Sequence, residues 1–220
     1  MTYTLPISLV VLLSLNGLFS SLHAAEVTIS IQDNQGQPLT NIVALLRTEA
    51  TVQARSKQPL QGVMDQINRE FVPHTLVVQQ GTRVSFPNSD NVQHHVYSFS
   101  PAKIFELKLY SELDIEPLLF DKPGVVELGC NVHDWMLGYI YVADTPYFAQ
   151  SDGQGLAVIS APTGQYSLSL WHPRLGDKDL ARVTTVVVDD QKLMVNLGLQ
   201  QPLLPSLVEY DAVEGFNNYD

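Results

Sequence analysis

Cys130, His133 and Met136 fall three residues apart in "GCNVHDWML", and Cys130 is the only cysteine in the chain. A thiol, an imidazole and a thioether in one short loop are donors suited to a soft metal ion. Two more imidazoles stand side by side upstream, His94 and His95 in "NVQHHVYSFS". Two imidazoles and a thiolate in a trigonal plane, with a weak thioether on the axis, make a one-electron copper site. Zinc suits the set less well, because a thioether is a poor ligand for it. A Cys–His nucleophile would want an orienting third group and a cleft, and the sequence offers neither recognisably. Covalent haem attachment would need Cys-x-x-Cys-His. Past the first 25 residues only His74, His94, His95, His133 and His172 remain, too few for an oxygen-reducing cluster beside such a site. The expectation is a metal-binding protein that is not an enzyme.

This constellation resembles the cupredoxins, small copper proteins that include plastocyanin, pseudoazurin and amicyanin. Cys130-x-x-His133-x-x-Met136 looks like the short ligand loop of amicyanin and pseudoazurin, and "MLGYIYV" like the family's last strand. Upstream, "FVPHTLVVQQGTRVSFPNSD" is similar to the paired strands before the first histidine ligand. The resemblance spans residues 62–144. It implies a Greek-key β-sandwich holding one type 1 copper ion through His94, Cys130, His133 and Met136. In the family the first histidine precedes a small polar residue and then an apolar strand, which on "HHVYSF" favours His94. Alternation alone allows either histidine, since neighbours on a strand point to opposite faces and one of them faces the metal. A histidine at 95 departs from the family's asparagine and would alter the hydrogen bonds that tune the site. Asn131 and the loop backbone are candidates to bond the sulfur, and Asn88 to pin the adjoining loop. The resemblance also implies that His133 shows its ring edge to solvent within an apolar patch containing Val132 and Trp135.

The elements that must position these residues read as strands. Alternating apolar residues run through Thr75–Val78, "TRVSF", "HVYSF", "KIFELKLY" and "LLFDKPGVVELGC", with turn formers between them. Short strands at regular spacing indicate an all-β sandwich, and no segment carries a long amphipathic helical period. Residues 111–117, "SELDIEP", read as a short irregular or helical excursion.

The flanks read as a second unit. "EVTISIQDNQGQPLTNIVALLRTE" gives two strands around a turn, and "AQSDGQGLAVISAPTGQYSLSLW" gives another pair. Neither half has enough strands to bury a sheet face by itself. Together they resemble one carboxypeptidase-regulatory-like or transthyretin-like (prealbumin-like, Ig-like) sandwich, a family marked by D-x-x-G-x-P-L, D-x-x-G and P-x-G-x-Y. The expected organisation is residues 26–60 and 145–200 as this split sandwich, 62–144 as the cupredoxin unit, and 201–220 as an acidic tail. Trp171 reads as core, and His172 as a capping or packing residue beside Pro173.

Residues 1–25 read as a signal peptide. "LPISLVVLLSLNGLF" is an apolar run of about 15 residues, shorter than a membrane span, and "SSLHAA" offers cleavage near Ala24 or Ala25. The mature chain is then expected in the periplasm, without a membrane anchor. An exported lone thiol that cannot pair within its chain is inert, reactive or metal-bound. The formal net charge of −11 argues against nucleic acid and anionic membranes and suits a cationic partner. Glu106, Glu112, Asp114, Glu116 and Asp121 are carboxylates that would steer one. The chain is similar to exported bacterial proteins labelled methylamine-utilisation proteins, which carry "HHVYSFS", "GCNVHDWM" and "DTPYFA" motifs. That label implies a redox carrier, and no residue here encodes its substrate. The expected role is single-electron transfer with a redox partner, a basic c-type cytochrome or a periplasmic dehydrogenase. The alternative is a copper module for storage, delivery or sensing, to which a chain with only four methionines is less suited.

Overall fold

The computed structural model describes residues 24–48, 60–110, 115–189, 193–200 and 202–203. The leader up to residue 23, Glu112 and Asp114, and nearly all of the acidic tail lie outside these residues. No helix among the described residues is long and apolar enough to cross a membrane.

The first strands are β1 (Ala24–Gln32), β2 (Val43–Arg47), β3 (Gln61–Val63), β4 (Asp65–Ile67), β5 (Glu70–Val72) and β6 (Thr75–Gln79). Next come β7 (Thr82–Ser85), β8 (His94–Ser100), β9 (Lys103–Tyr110), β10 (Leu118–Phe120), β11 (Gly124–Cys130) and β12 (Leu137–Ala143). The chain continues through β13 (Phe148–Gln150), β14 (Leu156–Pro162), β15 (Gly164–Trp171), one helical turn α1 (Asp177–Leu180), β16 (Val183–Val188) and β17 (Leu193–Gly198).

Strands β3 to β12 build the central unit. One sheet has the order β6-β12-β11-β8-β9, with β6 parallel to β12 and the other pairs antiparallel. Strands β10, β7 and β3 form a second sheet, and β4 and β5 a hairpin. Their inward residues make one core, including Phe71, Phe86, Val96, Phe120, Val126, Leu128 and Ile140. Alternation is clear along β8: His94, Val96 and Ser98 are buried, whereas His95, Tyr97 and Phe99 face out. The β8–β9 register shifts between His94 and Val96, at the start of β8.

The flanking segments come together as two sheets, β14-β1-β17 and β13-β2-β15-β16. Between them lies a separate core with Val27, Ile29, Ile31, Ala44, Leu46, Ile159 and Leu168. The motifs that mark these segments have visible jobs. The Asp33 carboxylate accepts hydrogen bonds from the Gln35 and Gln37 amides, and Asp152 does the same for Gln154 and Leu156. Gly155 adopts φ +74°, and a Cβ there would sit 2.4 Å from the Ile31 carbonyl oxygen. The Tyr166 hydroxyl, last residue of "PTGQY", donates to the Pro162 carbonyl at 2.9 Å.

Strand β2 joins the two units. Val43, Ala44, Leu45 and Leu46 are all fully buried, because β2 has no solvent face. Ala44 and Leu46 enter the flanking core, while Val43 and Leu45 pack with Ala143, Val77, Tyr141, Phe148 and Trp171. Trp171, expected in a core, is a partly buried residue of this junction, its ring 5.0 Å from that of Tyr141. Arg47 closes the seam: its Nε donates to Asp144 at 2.7 Å, and its other nitrogens to Ser169 and the Tyr141 hydroxyl.

Candidate metal centre

At one end of the central core, β8 and the β11–β12 loop bring together His94, Cys130 and His133. His94 is the first residue of β8, Cys130 the last of β11, and His133 follows in the loop. The Cys130 Sγ lies 3.7 Å from His94 Nδ1 and 3.8 Å from His133 Nδ1. All three donor atoms fall within 4.8 Å of one another. An ion bound at ordinary Zn–S and Zn–N lengths in a trigonal plane would place S and N about 3.8 Å apart. The spacing therefore fits one metal ion between the three atoms. Met136 is 2% exposed and shares the core cluster with Cys130. Its amide donates to the His133 carbonyl at 2.9 Å, which tightens the loop.

The two upstream histidines part company. His95 points outward on β8, with Nε2 2.8 Å from the Glu106 carboxylate of β9. His94 points inward with no exposure. Its Nε2 is 2.8 Å from Asp90 Oδ2, and that carboxylate also accepts the Asn68 and Arg69 amides at 2.6 and 2.8 Å. Burial pushes the Asp90 pKa up, but hydrogen bonds from the Arg69 amide and His94 outweigh it and hold the carboxyl below its usual range. An ionised Asp90 fixes the proton of His94 on Nε2 and leaves the Nδ1 lone pair aimed at the cysteine. Asp90 went unnamed in the sequence reading, since "PNSDN" offers several residues equally able to close a turn.

The surrounding bonds hold the loops in place. Asn88 Nδ2 donates to the Val92 and Tyr110 carbonyls, and Asn88 Oδ1 accepts the Asp90 amide. Asn88 therefore pins the loop, as expected. Asn131 differs from expectation: its amide donates to the His95 carbonyl at 3.0 Å, a bond that ties the ligand loop to β8. Burial raises the Tyr110 pKa to about 12, and its hydroxyl exchanges hydrogen bonds with Gln66.

His133 is half-buried, its ring 5.0 Å from that of His94 and 5.3 Å from that of Trp135. Trp135 is 68% exposed and Val132 50%, so an apolar patch surrounds this histidine. Burial, then the nearby His94 and Arg69, lower the His133 pKa, keeping its imidazole neutral and able to bind metal at pH 7. Of the other singled-out residues, His172 accepts the Arg174 amide on Nδ1, a local turn contact. Burial lowers its pKa to about 4.

No protein-family profile matches this chain, and no curated protein does. Among solved structures, the reduced Cu(I) form of an amicyanin variant at pH 4 is 20% identical, with a TM-score of 0.34. It covers 46% of this chain and 98% of its own. A purple cupredoxin from Nitrosopumilus maritimus is 24% identical over 38% of this chain and 99% of its own, with a TM-score of 0.30. The central strands form a β-sandwich consistent with the cupredoxin fold, and the His94–Cys130–His133 cluster at one end of its core fits a site of that kind.

Proposed function

We propose that the protein is an exported electron carrier that holds one type 1 copper ion through His94, Cys130, His133 and Met136. The observation that carries this reading is the convergence of two imidazole nitrogens and the cysteine sulfur on a common point, with Met136 buried in the same core cluster. Bound copper would supply one-electron redox chemistry. The chain does the rest: Asp90 orients His94, Asn131 and the Met136 amide hold the loop, and the core keeps water from the sulfur. Ligands anchored on two strands and a braced loop resist movement when the charge of the ion changes. The half-buried His133, with Val132 and Trp135 around it, offers a short route to a partner's surface. We assign the protein to the periplasm, with a basic c-type cytochrome or a periplasmic dehydrogenase as partner, on its apolar leader and its charge of −11.

The test is the visible spectrum of the mature protein on addition of one equivalent of Cu(II), followed by a reductant. The expected result is an intense blue band that bleaches on reduction and returns on oxidation. Cys130→Ser should abolish the band, while Met136→Leu should keep it and raise the potential. A protein that binds copper without colour would support storage or delivery. Unchanged absorbance in Cys130→Ser would overturn the site.

A further inference from the structure

Beside the metal-binding end, the outer face of the five-stranded sheet carries an open groove of about 400 Å³. Tyr97 and Phe99 form one wall, with ring centroids 5.2 Å apart, and Phe99 is 78% exposed. Tyr97 lies against the backbone of Gly129, its partner in register, where an added Cβ would sit 2.7 Å from the ring. The groove floor thus reaches the residue next to Cys130, and Cys130 itself lines it. Glu127 and Asp134, both exposed, complete the wall. Among the described residues no lysine, arginine or histidine lines the groove; Lys103 and Lys108 stand on the neighbouring edge strand β9.

Two aromatic faces and two carboxylates in one slot select a particular guest. An anion would meet Glu127 and Asp134, and a purely apolar plug would strip water from them without replacing its hydrogen bonds. A lysine or arginine satisfies both walls, its stem on the rings and its charged head between the carboxylates. We infer that this groove is the docking notch for a basic side chain of the redox partner, which would seat that partner beside Cys130. This assignment rests on the electron-transfer reading above and adds a lateral contact to the apolar patch around His133.

The experiment measures binding of a lysine-rich c-type cytochrome by calorimetry at low ionic strength, with both the metal-free and the copper-loaded protein. Glu127→Gln combined with Asp134→Asn should weaken binding about tenfold, and Phe99→Ser severalfold. Asp177→Asn, an exposed carboxylate outside the groove, should change it less than twofold. The same cytochrome with acetylated lysines should not bind. The inference is overturned if the cytochrome fails to bind, if the groove variants bind within twofold of the parent, or if Asp177→Asn weakens binding as much as they do. Because the metal-free arm needs no copper, groove binding without a blue band would remove the electron-transfer reading and keep the notch. A blue band with unaffected binding would do the reverse.

Discussion

Replacing Asp90 tests whether the ligand cluster is held from outside as the geometry implies. In Asp90→Ala, the Nε2 proton of the fully buried His94 loses its acceptor, and the Asn68 and Arg69 amides lose theirs. Those two amides belong to exposed residues at a hairpin tip and can turn to water. His94 cannot, so the metal-free protein should lose about 1–3 kcal/mol, the cost of one buried donor left unpaired. Metal affinity should fall further. Without the carboxylate nothing selects the Nε2–H tautomer, and loss of such a partner typically weakens metal binding about 10–100-fold. Asp90→Asn should lie between. Its single carboxamide oxygen can face Arg69 and His94, but its NH2 group then meets the Asn68 amide at the 2.6 Å site. Competitive titration against a chelator gives the affinity, and urea denaturation of the metal-free protein gives the stability. An affinity for Asp90→Ala within twofold of the parent, at preserved fold by circular dichroism, would refute the argument.

Two further predictions concern the scaffold. Gly138→Ala on β12 would place a methyl group 2.8–2.9 Å from three atoms of the buried Phe71 and should cost about 1–3 kcal/mol by overpacking, read as a lower urea midpoint. The His172 pKa falls from 6.5 to about 4 on folding, so the unfolded chain binds the proton more tightly and stability drops as pH falls through that window. Because His172 keeps partial contact with water, the loss should be about 1–2 kcal/mol rather than the full linkage value. His172→Gln should flatten the slope of stability between pH 6.5 and 4, and an unchanged slope would show that the histidine contributes nothing to it.

Much of this was readable from residue order, for physical reasons that also mark where reading stops. Strand β8 alternates so regularly that, once its inward face is known, His94 and His95 must separate. The loop donors were legible because coordination demands particular atoms at short spacing, and the Asp33 and Asp152 turns because an aspartate two residues before an amide can cap it. The β4–β5 hairpin gave no such sign. Its turn is Asn68-Arg69, both at positive φ, where a glycine would have announced it. Strand β2 reads as a uniform apolar run, and only its burial by both units explains the missing alternation. Tyr97 over Gly129 was out of reach, since the contact joins strands distant in sequence and depends on the absence of a side chain.

The Arg47–Asp144 bridge spans 97 residues at 2.7 Å, and those residues include the whole metal-binding unit. Where the chain leaves the flanking sandwich and where it returns are therefore clipped together by a part of the protein that folds around its own core. While that clip stays closed, an unfolded central unit is a ring rather than a free chain. Confining the two ends of a loop of this length removes about 4 kcal/mol of conformational freedom from the open state. The outer sandwich then acts as a clasp, steadying the central unit by limiting how far the chain that carries it can stray.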